Sequence, residues 1–215
     1  MRDCPHTRRH LILGGNVKRI TKSVLGGLVG SAAILAGTQV GNGAVPTYYN
    51  NNSGDLVDLQ LGAEGPFDDA TASLRIMQTT ENGTNFKLRV EGIDTSAEGI
   101  KFGAHLHVGE CKEGVPTLAG GHYNDQVFPA GTLTYAEAVK SPETEVWFDL
   151  VSDANGITAD STLVPFVPVD NDGIMSIVIH GLPHTDPNTG AAGPRVACLP
   201  LTVPPAWIYQ PPATI

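Results

Sequence analysis

The amino-acid sequence predicts a single all-β domain. Apolar and polar residues alternate along several short segments, as they do in strands that bury one face. Glycine and proline occur 25 and 16 times in 215 residues, and only 16% of residues are charged, a composition typical of short strands joined by turns. Beyond the N-terminal region, no segment repeats its apolar residues with a helical period. A chain of this length forms one well-buried domain more readily than two.

Six segments carry the strand pattern. The clearest is Ala70–Met77, in which Ala72, Leu74 and Ile76 alternate with polar residues, and the step Asn82-Gly83 predicts a hairpin turn before the next strand. The predicted strands are Ala70–Met77, Phe86–Glu91, Phe102–Val108, Glu145–Val151, Gly173–His180 and Arg195–Val203.

These strands place the folded domain at residues 56–204. Residues 45–55 are polar and rich in turn formers, so we expect a linker there. Residues 205–215 are predicted to be a proline-rich tail.

Residues 1–44 are predicted to be a signal peptide. A basic stretch ending at Lys22 precedes the uncharged run Val24–Ala36, and small residues follow at Asn42-Gly43-Ala44, which is the order of a cleavable export signal. The apolar run is short for a membrane span, so we expect no stable membrane anchor, although a retained anchor stays an alternative. The pair Arg8-Arg9 leaves the twin-arginine route open. We expect the protein in the periplasm, the cell envelope or the medium.

The charge balance argues against nucleic acid as a partner. After residue 44 the chain has 7 basic and 21 acidic residues, a net charge of −14. Nucleic-acid binding needs a basic footprint that displaces counterions.

The cysteines agree with export. Cys4 lies in the segment predicted to be removed, which leaves Cys111 and Cys198. An even number of cysteines in an exported domain favours a disulfide. Closing so long a loop stabilises a fold by roughly 4 to 5 kcal/mol in the chain-entropy treatment, as an upper value.

Five histidines remain after the signal segment, and their positions suggest a metal site. His105 and His107 lie two apart in F-G-A-H-L-H-V-G-E-C, so they share one face of a strand, with Cα atoms about 6.5–7 Å apart. His122 lies in the glycine-rich A-G-G-H-Y-N, and His180 ends the apolar run I-M-S-I-V-I-H. Two surface histidines would give the same H-x-H pattern, and His180 alone also fits an ordinary core histidine.

Taken together, these blocks resemble the copper/zinc superoxide dismutase family. The matching order is F-G-A-H-L-H-V-G-E-C, A-G-G-H-Y-N, S-I-V-I-H and G-A-A-G-P-R-V-A-C, spread over roughly residues 70–202. The resemblance implies a Greek-key β-sandwich, or flattened barrel, of about eight antiparallel strands.

The resemblance also implies the site residues. The histidines matching the family's copper ligands are His105, His107, His122 and His180. His122 would take part in catalysis as well, Arg195 would guide the superoxide anion, and Cys111 and Cys198 would form the family's disulfide. The implied activity is the conversion of superoxide to oxygen and hydrogen peroxide by copper redox cycling, for which imidazole is a suitable ligand.

The sequence departs from the family at the zinc site. From Tyr123 to Ile179 it has no histidine, and a tetrahedral zinc site needs about four ligands. We therefore expect a copper-only site with zinc absent. Without zinc, a carboxylate would have to orient the histidines, and Glu145, Asp149 and Asp186 are the candidates, although each also fits an ordinary solvated acid.

Some alternatives stay open. His184 has no clear family counterpart and fits either a lid residue or an accessory ligand. A non-catalytic protein that binds or buffers copper on the same scaffold is the main competing function. A structural or adhesive sandwich domain without metal is a third. The sequence does not determine the oligomeric state.

Overall fold

The computed structural model describes residues 46–62, 64–79, 83–128, 133–168 and 174–202. The predicted signal peptide at 1–44 and the predicted tail at 205–215 lie outside the described residues, as does Asn82 of the predicted hairpin turn.

The described residues form two antiparallel sheets, which confirms the predicted all-β fold. The nine strands are β1 (Pro46–Asp55), β2 (Val57–Asp58), β3 (Thr71–Thr79), β4 (Gly83–Glu91), β5 (Lys101–His107), β6 (Trp147–Val151), β7 (Ile157–Val164), β8 (Ile174–His180) and β9 (Arg195–Thr202). One sheet has the order β1-β3-β4-β7 and the other β2-β9-β8-β5-β6. The described residues include no helix with the length and apolar character of a membrane span.

The chain path is that of a Greek-key sandwich. Strand β6 pairs with β5, β7 lies in the opposite sheet, and β8 returns to pair with the other side of β5. This return connection defines the Greek key. The two sheets stay separate, so the architecture is the sandwich and not the flattened barrel.

The prediction of a linker at residues 45–55 is wrong for most of that segment. Pro46–Asp55 is strand β1, which pairs antiparallel with β3. Its Asn and Ser residues are unfavourable for strands, but tertiary contacts compensate. The Asn52 side chain accepts a hydrogen bond from the Thr202 N–H at 2.8 Å, and the Asn50 amide donates to the Thr202 carbonyl at 3.2 Å.

Strands β2 and β7 were not predicted. In β7 (I-T-A-D-S-T-L-V) apolar residues fall on both faces, and only Thr158 and Val164 are buried, so the strand lacks a clean alternation. Strand β6 begins at Trp147 and not at Glu145, because Glu145 forms only an isolated bridge to Asn124.

The core lies between the sheets and is formed by the inward residues of the alternating strands. Leu74 and Ile76 of β3 and Phe86 and Leu88 of β4 are almost fully buried, as is Ile177 of β8. Burying a side chain of this size stabilises the fold by about 1.5–3 kcal/mol. This packing fixes β5 and β8 side by side.

The predicted disulfide between Cys111 and Cys198 is confirmed. It joins the segment that follows β5 to the middle of β9, with 5.7 Å between the Cα atoms. The bond thereby holds the turn Pro116–Ala119 near the start of β9.

Candidate metal centre

Four of the histidines predicted as metal ligands converge inside the five-stranded sheet and its loops. His105 and His107 lie on β5, His180 ends the neighbouring strand β8, and His122 lies on the loop after β5. One nitrogen from each ring lies within 4.8 Å of the others, and all four residues are buried. Such a group could hold a metal ion.

Backbone hydrogen bonds bring His122 to the site. The Tyr123 N–H donates to the Leu106 carbonyl at 2.7 Å, and the Val108 N–H donates to the Gly121 carbonyl at 3.1 Å. These bonds align the His122 loop with β5 and form the bridge between His107 and His122. His122 is therefore positioned by backbone hydrogen bonds to β5, although it lies on a loop.

The hydrogen bonds of the rings determine which nitrogens carry protons. A neutral imidazole has one N–H and one lone pair. The Nδ1 atoms of His107 and His180 contact the carbonyl oxygens of Gly120 and Gly193 at 3.2 and 2.8 Å. Since a carbonyl only accepts, both Nδ1 atoms carry the proton, and both Nε2 atoms present lone pairs.

His122 and His105 follow the same rule with side-chain acceptors. His122 Nδ1 donates to Glu145 Oε2 at 2.8 Å. His105 Nε2 contacts Thr185 Oγ1 at 2.8 Å, while His105 Nδ1 is buried with no hydrogen-bond partner among the described residues. A proton on that Nδ1 would be a buried, unpaired donor, which is costly, so Nε2 donates and Nδ1 presents the lone pair.

The four lone pairs face one another, which suits a cation. His107 Nε2 and His180 Nε2 lie 3.3 Å apart, and neither carries a proton, so this contact is not a hydrogen bond. His105, whose buried Nδ1 has no hydrogen-bond partner among the described residues, belongs to the same group. A metal ion bound to Nδ1 of His105 and Nε2 of the other three rings would satisfy all four lone pairs.

The electrostatics keep the rings in the form that binds metal. Burial lowers the pKa of His105 and His107 well below the ordinary value, and repulsion between neighbouring protonated rings lowers it further. Burial also lowers the pKa of His180, to about 4. His105, His107 and His180 are therefore neutral at neutral pH, and metal binding need not displace a proton from them.

Glu145 is the carboxylate that orients a ligand. It is fully buried and accepts hydrogen bonds from His122, from Trp147 Nε1 at 2.8 Å, and from Asn124 Nδ2 and the Tyr135 hydroxyl, each at 3.1 Å. Burial acts to raise the pKa of Glu145, but the bonds from His122 and Trp147 outweigh it and lower the pKa. An ionised carboxylate therefore holds the proton on His122 Nδ1.

The other two candidate carboxylates do not reach the histidines. Asp149 is exposed and forms an ion pair with Lys101 at 2.6 Å. Asp186 is exposed and accepts from the Asn188 N–H at 2.8 Å within its own loop. His184 is also exposed and lies outside the histidine group, so it is not a ligand in this arrangement.

Gly103 allows Thr185 to reach His105. A Cβ atom at position 103 would collide with the Thr185 hydroxyl. Thr185 is buried and lies on the loop between β8 and β9. Gly103 therefore allows the hydrogen bond between Thr185 and Nε2 of His105, which leaves Nδ1 as the nitrogen without a hydrogen bond.

A pocket of about 440 Å³ opens onto the site. Its lining includes His122, His180, Tyr135, Lys140 and Arg195, together with the 189–194 segment. Arg195, predicted to guide an anion, is partly buried at the start of β9 opposite His180, and its guanidinium donates to the Pro116 carbonyl at 2.6 Å. Its charge contributes to the lowered pKa of His107 and His180.

Sequence reasoning missed Lys140 and Tyr135 as site residues. The Lys140 ammonium lies 4.9 Å from the centre of the Tyr135 ring, and both residues line the pocket. No motif marks either residue in the sequence, because the segment that carries them reaches the site only through the fold.

No protein-family model and no curated protein matches the chain. Among solved structures, the chain is similar to the clock protein EA4, with 18% sequence identity over 61% of this chain and 85% of that one, and a TM-score of 0.42.

The metal-free protein should lose stability as the pH falls from about 6.5 to about 4. Over this range the unfolded chain binds a proton at residue 180 and the folded protein does not, because the folded pKa is about 4. This difference lowers the free energy of unfolding by about 3 kcal/mol for His180 alone. Denaturant unfolding at a series of pH values measures it. H180Q should flatten the profile, H184Q should not, and equal slopes in both variants would contradict the assignment.

Replacing Glu145 by Gln should weaken metal binding by about 10–100-fold, as loss of a carboxylate behind a ligating histidine does. Competition with a chelator, with Cu(II) as the probe, measures the affinity. D149N is the matched control, since Asp149 contacts Lys101 at the surface, and it should bind as the parent does. Unchanged affinity in E145Q would show that the carboxylate does not orient His122.

Proposed function

We propose that this chain is an exported superoxide dismutase of the copper/zinc superoxide dismutase family that works with copper alone. The observation that carries the proposal is the convergence of four imidazole lone pairs beneath a pocket that also holds two cationic side chains. The sequence blocks that resemble the family support it, since the residues they pair with the copper ligands are the residues of this group.

The donor set favours copper. All four donors are imidazole nitrogens, with no thiolate or carboxylate in the group. Imidazole binds both Cu(I) and Cu(II), so the same ligands serve both oxidation states. In the family, the histidine that matches His122 bridges to a zinc ion; here Nδ1 of His122 donates to Glu145, which favours a site without zinc.

Bound copper would supply the redox chemistry, taking one electron from a first superoxide, which leaves as oxygen, and giving it to a second, which leaves with two protons as hydrogen peroxide. The chain's own residues hold the ligands in one protonation state throughout. The rings donate one N–H each to Gly120, Gly193, Thr185 and Glu145, which would leave the other nitrogen of each ring available to the metal. The proton at His122 Nδ1 is held against the carboxylate of Glu145.

The charges around the pocket fit a small anionic substrate. The chain after residue 44 has a net charge of −14 and would repel superoxide. Arg195 and Lys140 place two positive charges at the pocket that leads to His122 and His180. A local potential of this kind raises the association rate of an anion by about 10–1,000-fold at low salt.

Export is part of the same proposal. The N-terminal 44 residues have the order of a signal peptide, and disulfides such as Cys111–Cys198 persist mainly in oxidising compartments.

Metal analysis followed by a superoxide-removal assay tests the function. The purified protein should take up one copper ion per chain and remove superoxide only when copper is bound. Failure to bind copper would overturn the proposal. Copper uptake without activity would overturn the enzymatic part and leave a copper-binding or copper-buffering protein.

R195Q and K140Q should each lower the second-order rate constant for superoxide several-fold at low ionic strength, and the deficit should shrink as salt screens the charges. K101Q removes a charge at the Asp149 ion pair and is the matched control, with little expected effect. Pulse radiolysis at several salt concentrations gives the rate constants. A deficit independent of salt would show that these residues do not act by steering.

A further inference from the structure

Three of the seven basic residues after position 44 lie together on the four-stranded sheet, which carries none of the four clustered histidines. They are Arg75 on β3 and Lys87 and Arg89 on β4. All three are exposed and alternate with buried core residues, so they project from the outer face of the four-stranded sheet. The histidines belong to the other sheet and its loops.

The register places like charges directly opposite each other. Arg75 pairs with Lys87 across β3 and β4, and Ser73 pairs with Arg89. Like charges at directly opposite positions destabilise a sheet. Within the described part of the chain, Lys87 makes no ion pair. An anion bound between the strands would turn this repulsion into attraction.

The same residues line a groove of about 620 Å³ across the sheet. One row of it runs over all four strands, from Asn51 through Arg75 and Lys87 to Ser161. The row therefore offers an amide, a guanidinium, an ammonium and a hydroxyl, all of which can donate hydrogen bonds to oxygen.

The lining of the groove contains three cationic side chains and one carboxylate. Asp160 also lines it, but its two oxygens accept the backbone N–H groups of Asp149 and Ser161 at 2.8 and 2.7 Å. Glu91 pairs with Arg89 at 2.7 Å, with both side chains about half exposed. An exposed ion pair of this kind contributes little to stability, so a ligand can compete with Glu91 for Arg89.

We propose that this groove binds a linear polysaccharide that carries sulfate or phosphate esters. The cations match the ester groups, and the amide and hydroxyl groups match the sugar oxygens. The lining contains no aromatic side chain, so neither stacking of uncharged sugar rings nor stacking of nucleic-acid bases is favoured. The proposal is independent of the superoxide chemistry, since no proposed copper ligand lies on this sheet.

Binding of the purified protein to four polymers tests the site: dextran sulfate, dextran phosphate, uncharged dextran and single-stranded DNA. We expect binding to a charged dextran, the tighter one identifying the ester, and none to uncharged dextran. R75Q/K87Q should weaken binding at least about ten-fold and reduce the slope of log affinity against log salt by about 2. K101Q/K112Q removes two charges elsewhere and should bind within about two-fold of the parent.

Three results would overturn the proposal: no binding to either charged dextran, an equal loss in both double variants, or tighter binding to DNA than to the dextrans. The melting temperature of R75Q/K87Q shows whether this variant is folded. If it fails to fold, K87Q alone provides the test, with K112Q as its control. Copper content should be the same in every variant, which separates this site from the proposed enzyme.

Discussion

Each of the four buried imidazoles has one N–H, and the position of that N–H decides what the centre can bind. Carbonyls at Gly120 and Gly193, the hydroxyl of Thr185 and the carboxylate of Glu145 accept the four N–H groups. Every ring is thereby left with its lone pair toward the same small volume. Burial disfavours a second proton on His105, His107 and His180, because a charged imidazole would be poorly solvated there.

The sandwich brings together hydrogen-bond acceptors for the four rings that are far apart in the sequence. Adjacent strands β5 and β8 carry three of the histidines, while the acceptors lie on two loop segments: Gly120 and Glu145 between β5 and β6, and Thr185 and Gly193 between β8 and β9. The Cys111–Cys198 bond holds one of these segments to β9. Because the Pro116 carbonyl on that segment accepts a hydrogen bond from Arg195, the disulfide also supports the position of the Arg195 guanidinium.

Much of this arrangement could be predicted from sequence, and the exceptions have physical reasons. The clean alternation in β3 and β4 indicates one buried face and predicts those strands, whereas β5 is buried on both faces. The sequence predicts a linker over β1 because this segment is polar and rich in turn formers; pairing with β3 and contacts to Thr202 override that preference. Strand β7 was missed because its apolar residues are not confined to one face.

The site shows the same division. His105 and His107 follow from strand periodicity, and the remaining ligands from the resemblance of short blocks. The sequence does not rank the candidate carboxylates Glu145, Asp149 and Asp186, because it does not show which of them is buried and which lies on the surface. Their burial, and the approach of Lys140 to the pocket, are decided by tertiary packing.

A high-resolution crystal structure of the copper-loaded protein would test the central claim most directly. We predict one copper ion bound by Nδ1 of His105 and by Nε2 of His107, His122 and His180, with His122 Nδ1 still within hydrogen-bond distance of Glu145. Copper bound through the opposite nitrogen of any of these rings, or held at a site that excludes two or more of them, would contradict it.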